Sequence, residues 1–379
     1  MSLSSVFGDF GGRTWLNTAH QGAVPLTAAA ATAEAVSWKV SPHELTTERF
    51  EAVPQRLRAA LGRLVNAPAE QIVLANSASY GLHLVANGLP WEPGDEVLVI
   101  ANDFPSDIFP WLTLEQRFGV VVRRLRPASA MVTADEVAAA ITPRTKLFCT
   151  TWVNSFTGGA VDLAALGAVC RSHGVVFVVN GSQAIGVRPF DAAALPVDAL
   201  VGVGFKWLCG PYGTGFTWLA PHLRERLVPT KAYWLAHLSQ RDLARDDLSP
   251  EIVSAEIAGD RHDLDIFGTA NFNNFVPWTV SLEHVLDLGV DRIGAYDQAL
   301  VERLIAGLDG AGLKVLSPRS PAERSTLVYF THEDPARNQD LHTRLADAGV
   351  DVAFRAGKLR ASPHLYNDGA DVDRLLGAL

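Results

Sequence analysis

Apolar positions along this chain follow two spacings. Short, nearly continuous apolar runs at Ile72–Leu74, Glu96–Ile100, Val120–Leu125, Leu147–Val153, Val175–Val179 and Ala199–Val203 read as strands covered on both faces. Between them the apolar residues recur every three or four positions. The segments Phe50–Val65, Leu82–Gly88, Ile108–Phe118, Thr133–Ala140 and Asp162–His173 therefore read as helices. Local signals support several of them. Pro54 stands in or near the first turn of its helix. Thr133 and Glu136 have capping-box spacing. Asp162 is placed to cap the last helix and Gly174 to close it. A glycine-rich lead-in, residues 1–30, precedes a helix at Ala28–Val40, and ANSASYG after Leu74 reads as a turn. Strands alternating with helices imply a mostly parallel sheet with ligands at the carboxyl ends of its strands.

After about His262 the texture changes. Helical patterns at Val276–Leu288, Ala295–Leu308, Gln339–Ala348 and Asp371–Leu379 flank extended runs at Thr326–Phe330 and Val350–Phe354. The expected division is a large unit, 15–262, and a smaller α+β unit, 263–379, which segment 1–14 is free to join. The charge-rich stretch Lys231–Asp260 reads as a lid or a dimer arm.

Charge narrows the partners. The chain has 32 basic and 41 acidic residues, a net charge of −9. That disfavours nucleic acid and anionic membranes, both of which attract basic faces. There is no apolar run long enough to span a bilayer, and MSLSSVFGDF lacks the basic and apolar regions of a secretory leader. Cys149, Cys170 and Cys209 are far apart among apolar neighbours. They read as small buried hydrophobes, and with the missing leader they suggest a cytoplasmic protein.

The chemistry concentrates between Val175 and Gly215. One apolar run ends at Asn180, and the next delivers Lys206 within GFKWLCGP. A lysine at a buried strand end is costly unless it is used, and desolvation lowers its pKa toward that of a free amine. NSASYG, ahead of a helix, supplies free N–H groups for a phosphate. If the sheet is parallel, the turns bearing Asn76, Ser77 and Ser79, Asp103 and Phe104, Asn154 and Ser155, Asn180 and Gln183, and Lys206 meet at one edge. A phosphate seat and a strand-end lysine together suggest pyridoxal phosphate.

Four further stretches carry a resemblance: NGSQAIG with VGFKWLCGPYGTG, FPSDIFPW (104–111), FGTANF (267–272) and RAGKLRASPHLYN (355–367). From about Trp15 to the C-terminus the chain resembles the fold type I pyridoxal-phosphate enzymes of aminotransferase class V. These include cysteine desulfurases, isopenicillin-N-epimerase-like proteins, kynureninases and some C–S lyases. The resemblance implies a large domain with a mostly parallel sheet of the seven-stranded type and a smaller C-terminal α+β domain. It also implies a homodimer that shares its sites between subunits and acts on an amino acid. By position, Lys206 is the Schiff-base lysine and proton shuttle, and Gln183 contacts the cofactor's phenolic oxygen. Phe104 stacks on the ring, while the Ala78 backbone and Ser79 hold the phosphate. Asn154 or Ser155 approaches the ring's oxygen side, and Thr269 reaches the neighbouring subunit's phosphate. Arg360 grips the substrate carboxylate, with Arg355 as a second candidate and His20 as a further substrate contact. His364 and Tyr366 read as packing, as do Trp38, Trp91, Trp111 and Trp207.

The departures bear on the reaction. Where the family has an aspartate against the ring nitrogen, this chain has Asn180, which cannot stabilise a pyridinium by charge. Val203 and Phe205 replace two polar phosphate contacts of the desulfurases. Only AGKL separates the two arginines, where desulfurases carry a cysteine loop. A weaker electron sink suits Cα–H abstraction followed by β-elimination of the C–S-lyase type. Aminotransferase or epimerase activity is the alternative within the family, and a non-catalytic binding protein is the alternative outside enzymes.

Overall fold

The computed structural model describes residues 3–228, 230, 244–247, 264–268 and 270–379. The first part of the chain runs through β1 (Thr14–Trp15), α1 (Leu26–Val40), α2 (Thr47–Val65), β2 (Ile72–Ala75), α3 (Ala78–Gly88), β3 (Glu96–Ile100), α4 (Phe109–Phe118), β4 (Val121–Leu125), α5 (Ala134–Ala140), β5 (Thr145–Thr151), α6 (Leu163–Ser172), β6 (Val176–Asn180), β7 (Ala199–Val203) and β8 (Gly215–Leu219). Seven of these strands form one sheet in the order β2-β8-β7-β6-β5-β3-β4. All neighbours pair in parallel except β8, which runs antiparallel to both β2 and β7. The loop from Val203 to Gly215 is too short for a crossover helix, so the chain can only turn back.

Each sheet face is apolar. Leu74, Phe148, Phe177, Leu200 and Phe216 pack into one core, and Val73, Val97, Cys149, Val178 and Val201 into the other. This two-sided burial is why the strands read as unbroken apolar runs. Strand β8 escaped that reading because GFTWL carries a threonine and follows a Gly- and Pro-rich loop.

The second part contains α7 (Phe272–Leu288), α8 (Val290–Gly310), β9 (Lys314–Val315), β10 (Val328–Thr331), α9 (Asn338–Asp347), β11 (Val350–Asp351), β12 (Ala353–Arg355), β13 (Lys358–Ala361) and α10 (Gly369–Gly377). Four strands form an antiparallel sheet, β12-β13-β10-β9, and β1 pairs in parallel with β11. The architecture is the expected α/β one, a mostly parallel seven-stranded sheet with a smaller α+β part.

Three local expectations need correction. Helix α2 starts at Thr47, because the Thr46 side chain caps it by accepting from Arg49 N. Pro54 therefore lies inside the helix, past its first turn. Helix α3 starts at Ala78, not Leu82, because Ser77 accepts from Tyr80 N, so half of ANSASYG is helix rather than turn. Val350–Phe354 is two short strands, each with its own partner.

One buried ion pair ties the C-terminal part to the loop that carries Lys206. His364 Nδ1 lies 2.8 Å from Asp297 Oδ2, and His364 Nε2 lies 3.1 Å from the Trp207 carbonyl oxygen. Both residues are fully buried. A carbonyl can only accept, so Nε2 carries a proton, and the carboxylate draws a second to Nδ1. Burial alone would depress the imidazole, but Asp297 outweighs it and raises the pKa to about 10. A folded-state pKa above the unfolded value of about 6.5 gives stability that is fully present below that value. It is lost as pH rises through about 10. His364→Ala leaves Asp297 buried without its partner and is expected to cost about 3–5 kcal/mol. Denaturant titrations between pH 6 and 10 should show a decline for the wild type that the variant lacks.

Candidate active site

A cavity of about 530 Å³ opens at the carboxyl edge of the large sheet. Helix α3 points its N-terminus at the cavity. Ser77 satisfies Tyr80 N, and the first-turn N–H groups of Ala78 and Ser79 remain for an anion. Close packing sets this position: a side chain at Gly215 would meet Ser77 N at 2.6 Å. On the far side, Arg360 comes from β13 and Arg355 from the end of β12. The turn between these strands is two residues, Ala356 and Gly357, both with positive φ (50° and 75°). Such a tight hairpin leaves no room for a cysteine-bearing loop. All three cysteines are buried elsewhere.

Lys206 stands between these ends. Among the described residues its Nζ makes no hydrogen bond or ion pair, and it lies 5.9 Å from the ring centroids of both Phe104 and Phe205. Burial, then the Arg360 charge, lowers its pKa to about 8 against the opposing pull of Asp107. The lead-in segment fixes the loop from above: Gly22 N donates to Phe205 O at 2.9 Å, and a Cβ at Gly22 would lie 1.9 Å from Lys206 O.

Arg360 is buried, at 4% exposure. Its Nη2 donates to Asn17 Oδ1 at 3.3 Å, and among the described residues its Nε has no partner. Among those residues no carboxylate pairs with the buried guanidinium, which leaves it suited to one that enters the cavity. Arg355 is exposed at the cavity rim. His20 also lines the cavity, and burial together with Arg355, Arg360 and Lys206 lowers its pKa.

Asn180 closes the floor. Its Nδ2 donates to Asp107 Oδ2 at 3.0 Å, and its Oδ1 accepts from Ser182 N at 3.0 Å. Gln183 is held at both ends. Its Nε2 donates to Ala19 O at 3.0 Å, and its Oε1 accepts from Trp207 Nε1 at 3.1 Å. Phe104 is 42% exposed into the cavity and stacks on Phe156, with ring centroids 6.3 Å apart.

The structure thus brings together Ala78, Ser79, Phe104, Ser155, Asn180, Gln183, Lys206, Arg355, Arg360 and His20. Asn154 is not on the wall. Its Oδ1 accepts from Phe156 N and Thr157 N, so it shapes the loop that presents Phe156. Of the two expected there, Ser155 is the one that lines the cavity. Thr269 lies outside the described residues, as does the stretch 231–263 apart from 244–247. Sequence reasoning missed Phe156, Tyr212 and Ser182 on the wall and Asp107 behind it. Their neighbours in the site come from other strands, and no local spacing announces them.

The family model described as Aminotransferase class-V matches residues 29–375. An isopenicillin N epimerase of Streptomyces clavuligerus is 28% identical, aligned over 96% of this chain and 93% of its own. A probable cysteine desulfurase of Methanothermobacter thermautotrophicus is 26% identical over 85% of this chain and 82% of its own. Among solved structures, the apo cysteine desulfurase of Thermococcus onnurineus NA1 superposes with a TM-score of 0.86 at 19% identity, covering 99% and 96% of the two chains. A cystine C–S lyase in complex with its product cysteine persulfide gives 0.84 at 23% identity, covering 98% of each. At these identities the structures establish a shared fold.

Proposed function

The chain belongs to the aminotransferase class V family, and from that premise we propose that it is a pyridoxal-phosphate-dependent enzyme. Its substrate is an amino acid or amino-acid conjugate, its first step is abstraction of the Cα proton, and its reaction is β-elimination of the lyase type. One observation carries the reading. Lys206 is an amine of pKa about 8, unpaired among the described residues, in a cavity with a helix N-terminus at one end and a buried arginine at the other.

The residues present fit the cofactor. Two free N–H groups at α3 and the Ser79 hydroxyl would hold the phosphate, and Phe104 would cover one ring face. Asn180 would meet the ring nitrogen, Gln183 the phenolic oxygen and Lys206 the aldehyde carbon. When bound, the cofactor supplies the electron sink for charge left at Cα. Arg360 binds the substrate carboxylate through its free Nε and so orients the Cα–H bond toward Lys206. Phe104, Phe156, Phe205 and Tyr212 keep water from the amine. Lys206 Nζ takes the proton from Cα. Departure of a substituent at Cβ then gives elimination, whereas return of a proton to the opposite face of Cα gives epimerisation. The neutral Asn180 favours outcomes that do not store charge on the ring.

The epimerase reading draws on the 28% identical relative. An aminotransferase asks most of the electron sink and fits Asn180 least. A homodimer agrees with the exposed apolar residues Leu26, Val36, Val40 and Phe109. Among the described residues no helix is long and apolar enough to cross a membrane.

Cofactor capture tests the reading. Only the neutral amine attacks an aldehyde, so uptake by the apo chain should speed up as pH rises through about 8 and level off above it. Reductive trapping followed by peptide mapping should place the cofactor on Lys206. Failure to take it up, or attachment elsewhere, would overturn the proposal.

A further inference from the structure

The carboxylate that relatives place beside the ring nitrogen is missing at Asn180, yet a buried carboxyl stands directly behind that residue. Asp107 is fully buried. Its Oδ2 accepts from Asn180 Nδ2 at 3.0 Å and from Ser106 Oγ at 3.1 Å, and among the described residues its Oδ1 has no partner. The amide's orientation follows from its other contact. Ser182 N can only donate, so the atom facing it is Oδ1, and the atom facing Asp107 is the amide nitrogen. Asn180 is thereby locked at the cavity wall, and among the described residues nothing takes the second N–H of its Nδ2.

The neighbouring carboxyl has a different task. Asp103 accepts from Thr151 N at 2.9 Å, Thr151 Oγ1 at 2.7 Å and Phe104 N at 2.8 Å. Those donors favour its charged form. Burial raises both carboxyls; the Asp103 charge pushes Asp107 further up. Asp103, which supports the Phe104 backbone, therefore holds a charge more readily than Asp107, and Asp107 accepts from Asn180 Nδ2.

We propose that Asp107 is a positioning residue that fixes the Asn180 carboxamide, so that its free N–H is presented to the cofactor's ring nitrogen and holds that nitrogen unprotonated. The inference rests on the cofactor reading above. It accounts for a costly buried carboxyl in a place where a leucine would pack.

The test compares Asp107→Leu with Asp107→Asn. Leucine removes the acceptor and the cost of burying it, so the apo chain should melt at the same temperature or higher. Cofactor affinity should fall about tenfold, the worth of one well-made hydrogen bond. Asparagine keeps an acceptor for Nδ2 and should bind within about twofold of the wild type. In isotopically labelled cofactor, the NMR shift of the ring nitrogen should report the unprotonated form in the wild type and the protonated form in Asn180→Asp. Unchanged affinity in Asp107→Leu, an equal loss in both Asp107 variants, or a protonated nitrogen in the wild type would overturn the inference. Wild-type protein that takes up no cofactor would overturn the functional reading beneath it, and the inference with it.

Discussion

Lys206→Ala is expected to lower kcat by about three to four orders of magnitude, the upper part of the roughly 10²–10⁴-fold that a positioned proton-transfer group contributes. That corresponds to about 4–5.5 kcal/mol of barrier. The fold should not suffer, since the wild-type amine has no partner among the described residues and its desolvation already lowers its pKa to about 8. The variant should therefore unfold at an equal or higher denaturant concentration. Small primary amines in the assay should restore part of the rate, because they supply a free base to the space the side chain leaves. Steady-state kinetics with and without added amine check both statements. A variant retaining more than about a tenth of the wild-type rate would remove Lys206 from the chemistry.

Arg360→Ala carries the second large effect, and it should appear chiefly in KM. The guanidinium is buried, and among the described residues its Nε is unpartnered. A carboxylate that enters gains a charge-assisted hydrogen bond in a site from which water has been removed. Losing it should reduce kcat/KM by about 10²–10³, or about 3–4 kcal/mol at tenfold per 1.36 kcal/mol. Arg360→Lys keeps the charge but not the fork, and should recover only part of the loss. Arg355→Ala should cost less than about fivefold, because that side chain is exposed at the rim and screened. If Arg355→Ala proved the more damaging, the substrate carboxylate would have to sit at the rim instead of on β13.

The parts legible in the sequence are those decided locally. Strands Glu96–Ile100 and Ala199–Val203 match the reading residue for residue, because burial on both faces leaves unbroken apolar runs from Val97 to Ile100 and from Ala199 to Val203. The Thr133–Glu136 capping box is present because both halves of the motif lie within one turn. The parts that escaped depend on distant partners. Asp107 meets Asn180 across 73 positions, and His364 meets Asp297 across 67. Nothing local marks either aspartate as buried. Asn154 looked like Ser155 from the sequence, since both follow the same strand. Only the loop's backbone shows that one side chain turns inward to accept from Phe156 N while the other faces the cavity. The two-residue turn between the arginines was visible only as a short interval, and the positive φ of Ala356 and Gly357 explains why it is closed to a mobile cysteine.

On the proposed reading this family member eliminates rather than transaminates, because Asn180 sets no charge against the ring nitrogen. The direct measurement loads the protein with pyridoxal phosphate and supplies an amino acid with a leaving group at Cβ. It then follows the 2-oxo acid, ammonia and the state of the cofactor in one time course. The expected result is 2-oxo acid and ammonia in equal amounts over many turnovers, with the cofactor's visible absorption unchanged. Conversion of the cofactor to its amine form, with one equivalent of oxo acid and no free ammonia, would contradict it.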